Sequence, residues 1–459
     1  MMMKSKRAEF PSRQKRAGGR ITPSRIIIMI RKHTIYGHTL GCRLNAYETE
    51  ALLEGFRLNC GIERADEPEH ASIILVNSCA VTGRSTARSR KAVRHYLRRT
   101  DALVIVTGCV AQVAPDEFGD QNVIIVPNTC KTHLVETIAD LLNIEYSPDS
   151  TGQDIPSNAL FPIRAPEVIS RTRAFLKVQD GCDNHCSYCI VPAARGRSRS
   201  QPRELVLSQA KKLASAGFRE ILLTGVDLVR YGNDLYGNDY DLIKLVRDLL
   251  SIGGFRVRLS SMEPIGLSSN MIAGIALPGV CRHMHIPIQS GSDRILRRME
   301  RMYSKQDIIG LLDKCMELFP GLALGADIIV GFPGETLEDF QETVDLISHP
   351  AVTYLHVFPF SARPGTPAAS YTEDMIHTET ITERAVYLRS LSDEIKRKFR
   401  NTQIGKSALA LVESRYDENS GRLIGMTDNY IPVKTPEGSR EGELVLMTIR
   451  DDNICWDTR

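Results

Sequence analysis

No apolar run in the 459-residue chain reaches the roughly 20 residues that a bilayer-spanning helix needs, which excludes a transmembrane helix. Excess charge is also scarce. Lys and Arg number 58 against 55 Asp and Glu, leaving +3, too little to indicate a nucleic-acid partner unless the basic residues cluster. A convincing secretory signal is lacking as well, because the apolar run Ile26 to Ile30 is too short and has no suitable cleavage site after it. Eleven cysteines in such a chain read as reduced thiols. The expected compartment is the cytoplasm, and metal binding is the expected use of closely spaced cysteines. With 42% hydrophobic and 25% charged residues, wholesale disorder is excluded, and the length predicts about three domains.

What the chain does have is Cys182, Cys186 and Cys189, spaced C-x3-C-x2-C. Thiolates favour iron-sulfur clusters, zinc or cuprous copper. Three of them on a four-iron cluster leave one iron open for a substrate or cofactor, which implies chemistry rather than scaffolding. The rival is a zinc knuckle. It needs a fourth ligand, and the only local one is His185, strained by its place beside a ligand cysteine and outside the usual paired spacings.

Residues 1–32 carry ten Lys or Arg and one acidic residue and read as a basic disordered extension. It is either dispensable, with translation starting at Met29, or a basic RNA-binding arm. From residue 33 onward, apolar runs at 33–41, 71–77, 102–107 and 122–126 alternate with helical spacing at 45–58, 84–99 and 131–143. This βαβ series predicts a doubly wound parallel α/β domain over 33–145. Cys42, Cys79 and Cys109 each fall at or just past the end of one of these strands, where open α/β sheets bind ligands, so the three are expected to converge. The Pro-rich stretch 146–168 reads as a linker.

A second series follows, with strands at 174–179, 220–225, 256–261, 283–289, 323–330 and 354–360. It predicts a partial (β/α)6 barrel over 169–400, with the C-x3-C-x2-C motif at its active face. After a charged helix over 376–406, the pattern changes to period two at 408–413, 422–428, 430–433 and 443–449. That predicts a small antiparallel β-barrel over 401–459, an architecture often used for RNA.

Taken together, these parts resemble the radical S-adenosylmethionine methylthiotransferases over nearly all of 33–449. Those enzymes join an N-terminal three-cysteine domain, a radical barrel with C-x3-C-x2-C and a C-terminal β-barrel TRAM domain. The segment Thr39-Leu40-Gly41-Cys42-Arg43-Leu44-Asn45 and its continuation to Glu50 is most similar to the branch that modifies threonylcarbamoyladenosine in tRNA. The resemblance implies that Cys182, Cys186 and Cys189 hold a [4Fe-4S] cluster binding S-adenosylmethionine. It implies equally that Cys42, Cys79 and Cys109 hold an auxiliary [4Fe-4S] cluster carrying the sulfur. The radical formed would remove hydrogen from carbon 2 of the adenine, with the protein orienting reactants and excluding water. Cys60, Cys130, Cys281, Cys315 and Cys455 match no ligand position.

By the same resemblance Tyr188, Thr224, Gly225, Ser261, Glu263 and Gln289 line the S-adenosylmethionine pocket, with Gly331 to Glu335 as a further pocket turn. The tRNA anticodon stem-loop is the expected partner, along with a sulfur donor and an electron donor such as flavodoxin or ferredoxin. Three features carry the RNA expectation. They are the basic helix from Arg84 to Arg99, the set Arg195, Arg197 and Arg199, and Arg422 with Tyr430 in the tail, as charge and stacking groups. The rival functions are a methylthiotransferase acting on isopentenyladenosine or a ribosomal protein, and a noncatalytic zinc-containing RNA-binding protein.

Overall fold

The computed structural model describes residues 33–119, 123–147 and 172–456. The basic stretch 1–32 and most of the Pro-rich stretch lie outside these residues. Among the described residues no helix is long and apolar enough to cross a membrane.

The first unit is a parallel sheet of β1 (Thr34–Thr39), β2 (Glu63–Arg64), β3 (Ile73–Ser78), β4 (Leu103–Gly108) and β5 (Val123–Ile125), in the order β2-β1-β3-β4-β5. The sequence IILVNS of β3 is buried at every position, as expected for a central parallel strand covered on both faces. Edge strand β2 was not legible, being two polar residues long. Helix Arg43–Cys60 ends on Gly61 at φ 63°, the left-handed terminus that favours glycine. Helix Gly83–Arg99 starts at Thr82, whose hydroxyl accepts the Ser85 N–H. The helix expected over 131–143 is shorter, a 3-10 segment Asn128–His133 leading into Leu134–Leu142. This strand order is the flavodoxin-like doubly wound one, and its switch point lies between β1 and β3.

The second unit carries β6 (Ala174–Lys177), β7 (Gln179–Asp180), β8 (Arg199–Ser200), β9 (Glu220–Thr224), β10 (Arg256–Leu259), β11 (His283–Gln289), β12 (Ala323–Val330) and β13 (Val352–Pro359). Strands β6, β9 and β10 form one parallel sheet and β11, β12 and β13 another. Parallel bridges Val257–Val280 and Ser261–His285 join the two, so six parallel strands run side by side in chain order. Their apolar residues and covering helices share the largest core, which includes Leu176, Leu223, Leu259, Ile286 and Leu324. Helix Thr378–Gln403 packs along β13.

The tail is an antiparallel sheet of β14 (Ser407–Tyr416), β15 (Leu423–Thr427), β16 (Pro432–Lys434) and β17 (Leu444–Thr448), ordered β16-β15-β14-β17. It docks on the starts of the barrel-unit strands. Arg256 donates to Leu409 O and Met426 O, Arg258 to Thr427 O and Asp428 O, and Arg282 pairs with Asp428 at 2.6 Å. Buried Glu220 holds Arg256 and Arg258 from below, at 2.6 and 2.8 Å.

Candidate functional site

Three adjacent strands of the first sheet end together, with Thr39 beside Asn77 and Ser78 beside Gly108. The next residues on two of them are Cys79 and Cys109, and Cys42 follows β1 after a short turn. The close approach is built by glycines. Gly41 and Gly108 have φ 95° and 94°, and a Cβ on Gly41 would lie 2.6 Å from Cys79 Sγ. Cys79 and Cys109 are buried and Cys42 is exposed. Burial and the neighbouring Cys109 and Cys42 push Cys79 up to about 11, so thiolates would form there as a metal ion binds and displaces protons. The set flanks the sheet's switch point.

The second set sits in the loop after β7. Gly181, at φ 73°, leaves room for only 2.0 Å between a Cβ and Arg197 O, which pins the loop against residues 196–198. Gln179 staples it further, accepting the Val226 and Asp227 N–H groups at 2.7 and 2.8 Å while donating to Gly181 O at 2.8 Å. Two donors point at the sulfurs: Asn184 N–H at 3.4 Å from Cys182 Sγ and Arg301 Nη1 at 3.0 Å from Cys186 Sγ. Burial raises Cys182 to about 11 and Cys189 to about 12. Donors aimed at sulfur suit a negatively charged cluster, so the residues present fit an iron-sulfur group. His185 is exposed. The one group of three His, Cys, Asp or Glu ligand atoms within 4.8 Å of one another, among the described residues, is His285, Asp327 and His356. Neither cysteine set is drawn together as tightly as a tetrahedral zinc requires, where ~2.3 Å bonds bring the sulfurs to about 3.8 Å.

Around this loop the expected cofactor residues divide. Thr224, Gly225 and Ser261 line a cleft of about 890 Å³ that Cys42 and Cys79 line from the opposite unit. Glu263 pairs with Arg301 and, with burial as the main cause, its carboxyl is raised. Gln289 ends β11 at φ 71°, a left-handed conformation that a non-glycine residue adopts only where its surroundings force it. Tyr188 packs against the cluster of Ile295, Met299, Phe332 and Ala368. Glu335 of the Gly331 to Glu335 turn is buried and bonded to Arg384.

The expected RNA contacts divide too. Arg195 is buried, with Nη1 at 2.9 Å from Glu48 and 3.0 Å from Asp180, and Nη2 at 2.6 Å from Asn45. It is therefore a fixed internal cation, not the mobile guanidinium expected. Arg197 is exposed and pairs loosely with Asp183, while half-exposed Arg199 reaches Asp180 at 3.6 Å. Arg422 is committed to Thr435 O and Lys434 O within its own sheet. Tyr430 turns inward, its ring 4.4 Å from His283 and 5.7 Å from Tyr354, so it closes the base of the strands rather than presenting a face for a base. The basic face of helix Gly83–Arg99 stays largely open, with Lys91, Arg94, Arg98 and Arg99 around one depression whose edge is formed by Arg90, itself paired with Glu117. The remaining cysteines pack: Cys315 in the largest core, Cys281 beside Glu220, Cys455 under the tail, and Cys60 and Cys130 against the first unit's core.

Several site groups escaped the sequence reading. Arg301 lies in a turn after a short helix and carried no motif signal. Asp227 follows Thr224-Gly225 by two residues. Its Oδ1 is buried without a hydrogen-bond partner, and burial followed by nearby Glu263 raises it to about 6. Its Oδ2 lies 3.8 Å from Arg230 Nε, so the free Oδ1 and Glu263, both within electrostatic reach of Cys182, offer acceptors for an ammonium group or ribose hydroxyls. The only Trp, Trp456, joins Arg389, Lys396, Arg397, Arg400 and Asn401 along a groove of about 780 Å³ between the long helix and the tail, which also holds Asp451 and Asp393, the latter 3.1 Å from Lys396.

Six parallel strands with a donor-flanked three-cysteine loop after the first define a radical S-adenosylmethionine enzyme, and residues 176–347 match the Radical SAM superfamily. Residues 34–130 match the family described as Uncharacterized protein family UPF0004. The chain is 37% identical over 408 residues to the threonylcarbamoyladenosine tRNA methylthiotransferase MtaB of Bacillus subtilis, covering 87% of this chain and 90% of that one. It is 35% identical to the protein of that name from Aquifex aeolicus (90% and 98% covered). A tRNA-2-methylthio-N(6)-dimethylallyladenosine synthase of Syntrophotalea carbinolica is 33% identical (86% and 91% covered). The chain belongs to the radical S-adenosylmethionine tRNA methylthiotransferase family, which implies S-adenosylmethionine and a [4Fe-4S] cluster as cofactors. In fold it is similar to the radical S-adenosylmethionine methyltransferase TsrM from Kitasatospora setae, at TM-score 0.54 and 16% identity over 74% of this chain and 77% of that one.

Proposed function

We propose that this chain converts N6-threonylcarbamoyladenosine next to the anticodon of tRNA to its 2-methylthio derivative. The observation that carries this reading is the single cleft lined by Cys42 and Cys79 from one unit and by Thr224, Gly225 and Ser261 from the other. Identity alone separates the branches little, at 34–37% for four relatives named for threonylcarbamoyladenosine and 32–34% for four named for dimethylallyladenosine. The charge of the cleft favours the first group. Arg43, Arg84, Arg88 and Arg389 line it with one carboxylate, Asp327, and threonylcarbamoyl carries a carboxylate where dimethylallyl is apolar.

In this reading Cys182, Cys186 and Cys189 hold one [4Fe-4S] cluster and Cys42, Cys79 and Cys109 an auxiliary one. Bound there with S-adenosylmethionine, these groups supply a hydrogen-abstracting radical and the sulfur to be transferred. The chain's own residues orient and enclose. Gln179 fixes the cluster loop against the β9 turn. Asp227 and Glu263 accept from S-adenosylmethionine, and Tyr188, Thr224, Gly225, Ser261 and Gln289 complete its surroundings. Arg195 keeps the two units in register through Glu48, which holds the reacting groups at one separation and keeps water out.

For RNA, the basic face of helix Gly83–Arg99, exposed Arg197 and Arg199, and the groove with Trp456 offer charge and one stacking surface. The six strands then act as a partial barrel and the tail as a TRAM-type module. An electron donor such as flavodoxin or ferredoxin and a sulfur donor complete the reaction. Nucleoside mass spectrometry of tRNA from cells with and without the gene tests the reading. Loss of 2-methylthio-threonylcarbamoyladenosine and its return on complementation are expected; loss of the isopentenyl product instead would overturn the substrate assignment.

A further inference from the structure

Most buried or half-buried arginines facing the inner surfaces have an acidic partner. Arg195 has Glu48 and Asp180, Arg301 has Glu263, and Arg256 and Arg258 have Glu220. Among the described residues none of the four cleft arginines is paired with an acid, and Arg43 is the one among them that is not exposed, Arg84, Arg88 and Arg389 lying at the surface. It is half-buried, and among the described residues it has no ion pair or side-chain hydrogen bond. It opens helix Arg43–Cys60, whose first turn holds no acidic residue and whose start has no side-chain cap. The helix dipole disfavours a cation at that end, and partial burial adds a desolvation cost. An arrangement with two such costs calls for an anion.

The cleft supplies none of its own. Asp327, its one lining carboxylate, is already claimed by His285 Nε2 at 2.7 Å and His356 Nδ1 at 3.3 Å. Arg43 lies within electrostatic reach of His283 and Tyr354 on the cleft floor, so its charge faces the cavity. It also adjoins Cys42 in the chain. On adenine, carbon 2 and the carbon that bears N6 flank the same ring nitrogen, so a substituent on N6 and the carbon to be modified stay close together. We infer that Arg43 is the specificity-determining residue that binds the carboxylate of the threonylcarbamoyl substituent, through the two parallel N–H bonds that a guanidinium offers a carboxylate. This rests on the substrate reading above. The rival source of the same anion chemistry is a phosphodiester of the anticodon loop.

The test compares affinities of the reconstituted full-length protein for three synthetic anticodon stem-loops. One carries threonylcarbamoyladenosine, one its neutral carboxamide and one plain adenosine. The wild type is expected to prefer the carboxylate over the carboxamide by about tenfold or more, the usual scale of a charge-assisted contact. Arg43→Gln should bind both alike, near the wild-type affinity for the carboxamide, and Arg43→Lys should fall between. A preference that survives in Arg43→Gln, or is absent from the wild type, overturns the inference. Equal weakening of all three stem-loops assigns Arg43 to phosphate and overturns it too. The wild-type carboxamide comparison needs no variant to fold. Nucleoside analysis keeps the two readings apart: if the wild type makes the threonylcarbamoyl product and Arg43→Gln keeps its preference, only this inference falls, whereas a wild type that modifies isopentenyladenosine alone removes the substrate reading itself.

Discussion

Glu48 Oε1 and Arg195 Nη1 lie 2.9 Å apart, both buried, one from the first unit and one from the barrel unit. Lys131 and Lys177 each approach Glu48 to 2.7 Å, and Asp180 closes the network at 2.7 Å from Lys177. Burial alone would raise Glu48, yet Arg195, Lys131 and Lys177 together hold it well below the ordinary glutamate value. Asp180 is likewise lowered to about 2 against the penalty of burial. Two carboxylates against three cations make the network intolerant of losing either acid.

Glu48→Gln should therefore destabilise the protein by about 3–5 kcal/mol, the cost of stranding buried charge. Both carboxyls are depressed on folding, so their stabilisation is complete above the unfolded values, 4.5 and 3.8, and is lost as pH falls toward about 2. Urea titrations over that range should show a steep acid limb in the wild type and a shallower one in Glu48→Gln. Equal limbs would remove the network from the stability argument.

Cys186→Ala should abolish both deoxyadenosine release and thiolated product. Cys79→Ala should retain S-adenosylmethionine cleavage and lose sulfur insertion, with about half of the iron remaining in each. Chromatography of the reaction mixtures and iron analysis decide it, and normal thiolation by Cys79→Ala would end the auxiliary-cluster reading.

Arg301 Nη1 donates to Cys186 Sγ at 3.0 Å. Hydrogen bonds to cluster sulfurs favour the reduced state and raise the potential. Arg301→Gln should lower the midpoint potential of the radical cluster and slow cleavage at a fixed reductant. A redox titration followed by electron paramagnetic resonance reads this directly, and an unchanged midpoint would leave Arg301 with only its packing role.

Lys396→Gln with Arg397→Gln should weaken tRNA binding and make the slope of log affinity against log salt shallower by about 1.4–1.8, two phosphate contacts' worth. Both residues line the groove with Trp456. A slope equal to the wild type would move the RNA elsewhere.

Strand positions were legible because each is a compact apolar run between turn residues, and the six parallel strands of the barrel unit lie where the alternation set them, while the two-residue β7 and β8 carried no such run. The placement of Cys79 and Cys109 at strand ends was legible for the same reason, and Cys182, Cys186 and Cys189 were legible by their spacing alone. Long side chains were not. Arg195 and Arg199 are four residues apart with similar neighbours, yet one is buried against Glu48 and the other half-exposed. Only the docking of the first unit decides between them. Tyr430 misled in the same way. It was expected to offer a stacking face to RNA, whereas the fold sets its ring on His283. Arg301 and Asp227 depend on contacts across long stretches of chain, which no local pattern encodes.

The grip of Arg256, Arg258 and Arg282 on the backbone of β14 and β15 and on Asp428 bears on any attempt to transplant the tail between relatives. A chimaera cut at Gly405 would bring in foreign carbonyls opposite Arg256 and Arg258, a foreign side chain opposite Arg282 and a new residue in place of the ring that seals His283. Low yield or poor iron loading in such a hybrid would then report a mismatched seam beneath the strands, and says nothing about which RNA the grafted module prefers.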